Sequence, residues 1–88
     1  MQIRHEEETF GDYSIKLGGL PFRTTEREII DWFSPKAKCA RVKILKDNNR
    51  PNGRAIAEFV SKNDAEAAME LNHDYLGDRY IILTPVDF

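Results

Sequence analysis

Residues 50–60 read Arg-Pro-Asn-Gly-Arg-Ala-Ile-Ala-Glu-Phe-Val, and this stretch indicates a polar turn that runs directly into a strand. Segment 47–53 concentrates Asn, Asp, Pro and Gly, residues that accept left-handed or fixed backbone angles and so favour a reversal of the chain. From residue 53 onward the side chains alternate with the period of two that a strand imposes. One face is small and apolar, and consists of Ala55, Ala57 and Phe59. We expect a helix to pack closely on it, while the other face, with Arg54, Ile56 and Glu58, meets solvent or a ligand.

The length and composition of the chain indicate one small globular domain. Its 88 residues can enclose a single modest core. No apolar run approaches the length of a membrane-spanning helix, and the first residues are charged where a signal peptide would be apolar. We therefore expect a soluble, intracellular and monomeric domain that does not associate with membranes.

Cysteine and histidine are too few to suggest a metal site. The single cysteine, Cys39, cannot form an internal disulfide, and with His5 and His73 it does not make a spaced set of zinc ligands. No metal and no cofactor is expected.

The net charge of −2 is unevenly distributed along the chain. Residues 1–13 contain one arginine and four acidic residues, so their net charge is −3 and the remaining residues carry +1. We interpret residues 1–13, which include three consecutive glutamates, as a flexible acidic arm. A near-neutral body argues against extensive non-specific binding of phosphates, but it leaves room for a local basic patch.

The first half of the body predicts a strand, a helix and a second strand. Alternation over residues 13–17 predicts the first strand, which the Gly-Gly-Leu-Pro segment at 18–21 ends. Thr25 and Glu28 have the T-x-x-E spacing of a capping box, so a helix is expected to begin there. Alternation over residues 40–45 predicts a second strand whose outer face is basic. The apolar stripe of the helix consists of Ile29, Ile30 and Phe33.

The second half predicts a second helix and a last strand. Asn63 and Glu66 have the spacing of a helix cap, and residues 75–79 have the composition of a hairpin. Residues 80–83 are rich in strand formers and precede Pro85, which is expected to end the strand. The apolar stripe of the second helix consists of Ala65, Ala68, Met69 and Leu71.

The resulting order of elements is β-α-β-β-α-β. Right-handed crossovers would place two helices on one face of a four-stranded antiparallel sheet, which is the ferredoxin-like α+β sandwich. We expect this domain over residues 14–84, followed by a short tail at 85–88. The other face of the sheet is left open.

Over residues 14–84 this pattern resembles the RNA recognition motif family. The third strand of that family reads K/R-G-F/Y-G/A-F-V-x-F/Y, and segment 52–59 matches it at the glycine, the small residue and the final aromatic residue. The two positions that usually carry stacking aromatic rings hold Arg54 and Ile56, and the matching position of the first strand holds Lys16. The resemblance therefore implies a sheet without the base-stacking platform of the family.

The quasi-RNA-recognition motifs of heterogeneous nuclear ribonucleoproteins F and H, and of some ribosome-biogenesis proteins, lack the same aromatic residues, and this chain resembles them. Their G-L-P-W/F turn corresponds to residues 19–22, their G-R-x-S/T-G-E-A loop to residues 49–55 and their R-Y-I/V strand start to residues 79–81. Gly18 stands where those relatives usually have an arginine, and Arg54 replaces their glutamate.

In the F and H proteins these loops, rather than the sheet, hold single-stranded guanine-rich RNA. The resemblance therefore implies a non-catalytic module that binds single-stranded RNA, G-rich RNA included, within a larger nuclear protein of RNA processing such as splicing. Loop aromatic rings could stack on bases, an arginine could read a base edge or a phosphate, and cations on the sheet could bind phosphates. The candidate RNA-binding residues are Lys16, Phe22, Arg41, Lys43, Arg50, Arg54, Arg79 and Tyr80.

Alternatives stay open for these residues and for the function. Phe22 could pack over the first helix, Tyr80 could cover the sheet, and the sheet cations could serve only solubility. The domain could instead bind a peptide or a protein partner, because Trp32 and segment 79–81, which is similar to an Arg-x-Phe element of peptide-binding relatives, fit a partner surface. Catalysis is not expected, since no nucleophile and base stand at a plausible spacing.

Overall fold

The computed structural model describes residues 11–86, and the elements within that range follow the predicted order. Most of the predicted acidic arm and the last two residues of the predicted tail lie outside the described residues, so both segments stay predictions. The elements are β1 (Ser14–Gly18), α1 (Glu26–Phe33), β2 (Cys39–Asp47), β3 (Arg50–Phe59), α2 (Lys62–Ala68) with a 3₁₀ turn (Met69–Leu71), β4 (Tyr75–Leu76), β5 (Arg79–Tyr80) and β6 (Ile82–Pro85).

Four strands form one antiparallel sheet in the order β2-β3-β1-β6, and β4 and β5 form a separate two-stranded hairpin. Residues of both helices and of one sheet face belong to a single buried cluster. Both helices therefore lie on the same side of the sheet, and the predicted ferredoxin-like fold is confirmed. No helix within residues 11–86 is long and apolar enough to cross a membrane.

Small side chains set the distance between α2 and the sheet. Ala55 and Ala57 of β3 and Ala65 and Ala68 of α2 are fully buried. Without bulky side chains at these positions, the helix can approach the strand closely at the packing density of a protein interior. The close approach predicted from the alanines of β3 is confirmed.

The two helices begin with side-chain caps, of which one was predicted correctly. The Oγ1 atom of Thr25 accepts a hydrogen bond from the Glu28 amide at 3.1 Å, and the Glu28 carboxylate accepts one from the Thr25 amide at 2.9 Å. The predicted cap of α2 at Asn63 is wrong, because the Oγ atom of Ser61 accepts the Asp64 amide at 3.1 Å instead. The helix starts earlier because β3 ends at Phe59 and Ser61 follows almost at once in an extended conformation.

The turn between β2 and β3 is tighter than the sequence suggested. Asn48 and Asn49 both have positive φ angles, 53° and 66°, which is the pattern of a two-residue type I′ hairpin. β3 therefore begins at Arg50, which pairs with Asp47. The rest of the predicted turn is strand with an irregular register around Gly53, whose φ is +81°.

Two predictions about strand positions are wrong. The alternation predicted over residues 40–45 would place Ala40 on the inner face with Val42 and Ile44, but Ala40 is exposed because the register of β2 shifts just before Arg41. The last strand begins at Ile82 rather than Tyr80, and it includes Pro85. A proline is tolerated there because β6 is an edge strand, whose outer side needs no ladder hydrogen bonds.

Candidate nucleic-acid interface

The sheet face opposite the helices gathers several of the candidate cations. One row across all four strands consists of Lys43, Ile56, Lys16 and Thr84. The next row across β3, β1 and β6 consists of Arg54, Gly18 and Ile82. Lys16, Lys43 and Arg54 are exposed, so three positive charges lie on neighbouring positions of this open face.

Gly18 leaves a shallow hollow of about 200 Å³ on the open face, with Arg54 on β3 and Ile82 on β6 among its walls. A Cβ atom built on Gly18 meets no atom within 4 Å, so the space above the backbone is free within the described residues. Within residues 11–86 neither the Lys16 ammonium nor the Arg54 guanidinium takes part in an ion pair. Both charges are available to an anion that lies over the hollow.

Arg41 lies at the other end of the same face and is engaged by Glu58. Its Nε atom is 3.0 Å from a carboxylate oxygen of Glu58, its neighbour on β3. The backbone of Gly11 also lies against Glu58, since a Cβ atom built on Gly11 would be 2.8 Å from the carboxylate. Exposed ion pairs contribute only about 0.2–1 kcal/mol to stability, so Arg41 can exchange Glu58 for a phosphate. The Glu58 carboxylate nevertheless makes this end of the face less positive than the hollow.

Phe22 is the most exposed of the large apolar side chains within residues 11–86, with 67 % of its surface accessible. Its loop is fixed on β3, because the Leu20 amide donates a hydrogen bond to the Gly53 carbonyl at 3.0 Å. The edge of the ring lies over Gly53, where a built Cβ atom would be 3.3 Å from Cε1 of Phe22. The ring is therefore positioned but not buried, and it does not close α1 as a core residue.

Tyr80 lies on the β4–β5 hairpin and is 49 % exposed. Its ring stacks on His73, with ring centroids 5.3 Å apart and an angle of 10° between the planes. Its carbonyl oxygen lies 2.7 Å from the position of a Cβ atom on Gly19. The hairpin backbone therefore packs directly on the loop that carries Phe22, and both aromatic residues stand at the end of β1.

The remaining two candidates are exposed arginines at the margins of this surface. Arg50 precedes Gly53 by three residues on β3, which corresponds to about 10 Å of extended chain, so it stands outward from Phe22. Arg79 pairs with Leu76 on the hairpin. Within the described part of the chain neither guanidinium takes part in an ion pair.

Tyr75 is a surface aromatic residue that the sequence did not single out. It pairs with Tyr80 across the hairpin, and the two ring centroids are 5.8 Å apart. Its carbonyl oxygen accepts the indole N–H of Trp32 at 2.8 Å. The hairpin predicted over residues 75–79 could have identified Tyr75, because a two-residue turn at Gly77-Asp78 places Tyr75 and Tyr80 opposite each other.

A groove of about 820 Å³, larger than the hollow over Gly18, lies between the start of α1 and β2. Its charges are mixed, with Glu26 and Asp47 beside Lys43 and Lys46, and the Glu26 carboxylate accepts the Ile44 amide of the edge strand at 3.4 Å. Residues 11–86 contain no group of His, Cys, Asp and Glu side chains arranged to hold a metal ion.

Comparison with known families identifies the fold. Residues 15–82 match the sequence profile of the RNA recognition motif. The chain belongs to this family. Its members are non-catalytic binding modules, so the prediction that the chain is not an enzyme is confirmed.

This RNA recognition motif is similar to short segments of longer proteins. It is 30 % identical over 77 residues to "Probable RNA-binding protein 19" of Mus musculus, a match that covers 86 % of this chain and 8 % of that protein. It is 36 % identical over 72 residues to heterogeneous nuclear ribonucleoprotein H of Homo sapiens, covering 81 % of this chain and 16 % of that protein. The chain therefore spans less than a fifth of the length of either relative.

Solved structures confirm the predicted resemblance to quasi-RNA-recognition motifs. The Glorund qRRM2 domain superposes with a TM-score of 0.75 and 31 % identity, covering 83 % of this chain and 86 % of that one. The human G-rich RNA sequence binding factor 1 has the same fold, with a TM-score of 0.76 at 24 % identity over 85 % of this chain and 80 % of that one.

Proposed function

We propose that this RNA recognition motif binds single-stranded RNA at the end of its sheet and on its open face. The observation that carries the proposal is the position of two exposed rings, Phe22 and Tyr80, on elements that pack together at the end of β1. Beside them lie the cations of the open face, including Lys16 and Arg54. Rings that stack on bases and cations that neutralise phosphates are the two components of single-strand binding.

The geometry suits different residues to different contacts with RNA, namely base stacking, base-edge reading and phosphate neutralisation. Stacking on Phe22 or Tyr80 would contribute roughly 1–3 kcal/mol per base, whereas Ile56 at the centre of the sheet has no aromatic face. Arg50 presents a planar guanidinium that fits a base edge or a phosphate. The cations placed to neutralise phosphates are Lys16, Arg41, Lys43, Arg54 and Arg79.

The same proposal extends to the biological setting. The chain matches only a small part of each relative, which supports a place for residues 14–84 as one module of a larger nuclear protein of RNA processing. The loop segments shared with the F and H proteins support G-rich RNA as one class of ligand. One near-neutral domain would bind weakly, and a linked second module raises avidity by roughly 10² to 10⁴.

Chemical-shift titration of the labelled domain with short G-rich, U-rich and structured RNAs tests the proposal. We expect shifts at Phe22, Arg50 and Tyr80, and a large loss of affinity when all three are replaced by alanine. Val60→Ala is the matched control, because Val60 is 55 % exposed and follows the opposite end of β3. Intact RNA affinity in a folded triple variant would overturn the assignment of these residues.

A peptide or protein partner is the competing outcome of the same titration. The structure weakens its two sequence signals, because the indole N–H of Trp32 is engaged by Tyr75 and Ile81, at the third position of the Arg-x-Phe-like run, is fully buried. If no RNA shifts the loop residues while a peptide library does, the function is protein recognition.

A further inference from the structure

We propose that Tyr75 forms a second base-stacking position on the β4–β5 hairpin, which takes one more nucleobase of the strand that Tyr80 contacts. The inference rests on the proposed RNA-binding function and extends it to a residue outside the segments shared with the F and H proteins. Tyr75 is more exposed than Tyr80, at 58 % against 49 %.

The contacts of the two tyrosines differ in a way that favours Tyr75. Tyr80 touches two rings, with His73 nearly parallel to it and Tyr75 inclined at 66°. Within residues 11–86 the one ring contact of Tyr75 is with Tyr80. Because stacking needs an uncovered aromatic surface, Tyr75 offers more room to an incoming base than its partner does.

The hairpin is held in place before any ligand arrives. The Trp32 indole donates to the Tyr75 carbonyl at 2.8 Å, the His73 amide to the Ile81 carbonyl at 2.8 Å and the Ile81 amide to the Asp74 carbonyl at 2.9 Å. The backbone that carries Tyr75 is therefore fixed to α1 and to Ile81, which directly precedes β6. A pre-positioned ring avoids part of the ordering cost of binding.

The position of the hairpin connects Tyr75 to the open face. Tyr80 precedes Ile82 by two residues, and Ile82 lines the hollow over Gly18. Two residues of extended chain span about 7 Å, a spacing that neighbouring nucleotides of an extended strand can match. Because Tyr75 pairs with Tyr80 and their ring centroids are 5.8 Å apart, a base on Tyr75 would lie next to one on Tyr80 in the same bound strand.

The test compares Tyr75→Ala with Tyr75→Phe by titrating RNAs of about four to about eight nucleotides. We expect Tyr75→Ala to weaken binding of the longer RNAs by about 5-fold to about 100-fold and to leave the shortest RNAs unaffected. Tyr75→Phe keeps the ring and should stay within about 2-fold of the original affinity. The indole N–H resonance of Trp32 reports whether the hairpin is still docked in each variant.

The outcomes separate this inference from the function on which it rests. If no RNA binds the unaltered domain, the proposed function fails and the inference fails with it. If RNA binding depends on Phe22 and Arg50 but is the same for Tyr75→Ala as for the unaltered domain, only the inference is overturned. An equal loss in Tyr75→Ala and Tyr75→Phe would show a contact through the hydroxyl group and would also overturn stacking.

Discussion

Gly19 shows how a single residue fixes the candidate interface. Its φ angle of +83° lies in the left-handed region, and a Cβ atom would be only 2.7 Å from the Tyr80 carbonyl oxygen. The obstacle is backbone rather than a flexible side chain, so a substituted residue must push the hairpin away from the loop. The adjacent Gly18 is different, because its built Cβ atom meets open space.

Gly19→Ala is therefore expected to destabilise the domain by about 1–2 kcal/mol from the backbone conformation alone, with an added contribution from the contact with Tyr80. Urea denaturation followed by Trp32 fluorescence measures the free energy of unfolding. Gly18→Ala is the control and should change stability little. Equal stability of the two variants would contradict the packing of the hairpin on Gly19.

Cys39 gives a prediction about pH at the same scale. Burial of the thiol raises the pKa of Cys39 from 9.0 to about 11, and the Glu58 carboxylate acts in the same direction. The folded state therefore retains this proton between pH 9 and 11 while the unfolded chain loses it, and the stability it contributes is lost as pH rises through that window.

Because the thiolate is the reactive form, we expect Cys39 in the folded domain to be alkylated at least about tenfold more slowly at pH 8.5 than in the urea-unfolded chain. Mass spectrometry after timed alkylation measures both rates. Similar rates in the two states would mean that the thiol is not held in its neutral form by folding.

At the scale of the element, the start of α2 shows whether residue type or the end of the preceding strand decides which residue caps the helix. Ser61 follows β3 in an extended conformation and accepts the Asp64 amide, and its hydroxyl also lies 3.0 Å from the Asp64 carboxylate. Asn63 has the residue type of a cap but lies inside the helix. Caps are therefore decided by where the preceding strand ends as well as by residue type.

Ser61→Ala should cost about 1 kcal/mol of stability, because it removes the acceptor of an otherwise orphaned helix amide. Asn63→Ala should be neutral or slightly stabilising, since alanine is the better residue inside a helix. Thermal denaturation of the two variants distinguishes the caps. The reverse order of stabilities would restore Asn63 as the start of the helix.

The elements that were predicted correctly are each specified by a few neighbouring residues. Alternation in β3, the Thr25 capping box and the alanine pairs each act over a few residues, so they can be read without knowing the fold. The tight Asn48-Asn49 turn depends on strand register, which residue types leave undetermined, and the pairing of Tyr75 with Tyr80 follows only once the two-residue turn of the predicted hairpin is placed at Gly77-Asp78. The sequence therefore named the candidate cations and the rings of Phe22 and Tyr80, whose role in RNA binding stays a prediction, but it did not single out Tyr75.

At the scale of the whole molecule, charge limits how the domain can bind RNA. The sequence has a net charge of −2, so long-range attraction to phosphates is weak. Binding must depend on the few cations of the open face and on ring stacking, two contributions that respond differently to salt.

For single strands the logarithm of the affinity falls with the logarithm of salt concentration by about 0.7 for each phosphate neutralised. With three or four cations engaged, we expect a slope between about −2 and about −3. Lys16→Gln should make the slope shallower by about 0.7, whereas Phe22→Ala should lower the affinity at every salt concentration and leave the slope unchanged. Fluorescence anisotropy over a range of salt concentrations measures both quantities. A slope that is insensitive to Lys16→Gln would remove Lys16 from the phosphate contacts, because phosphates would then be neutralised by other cations.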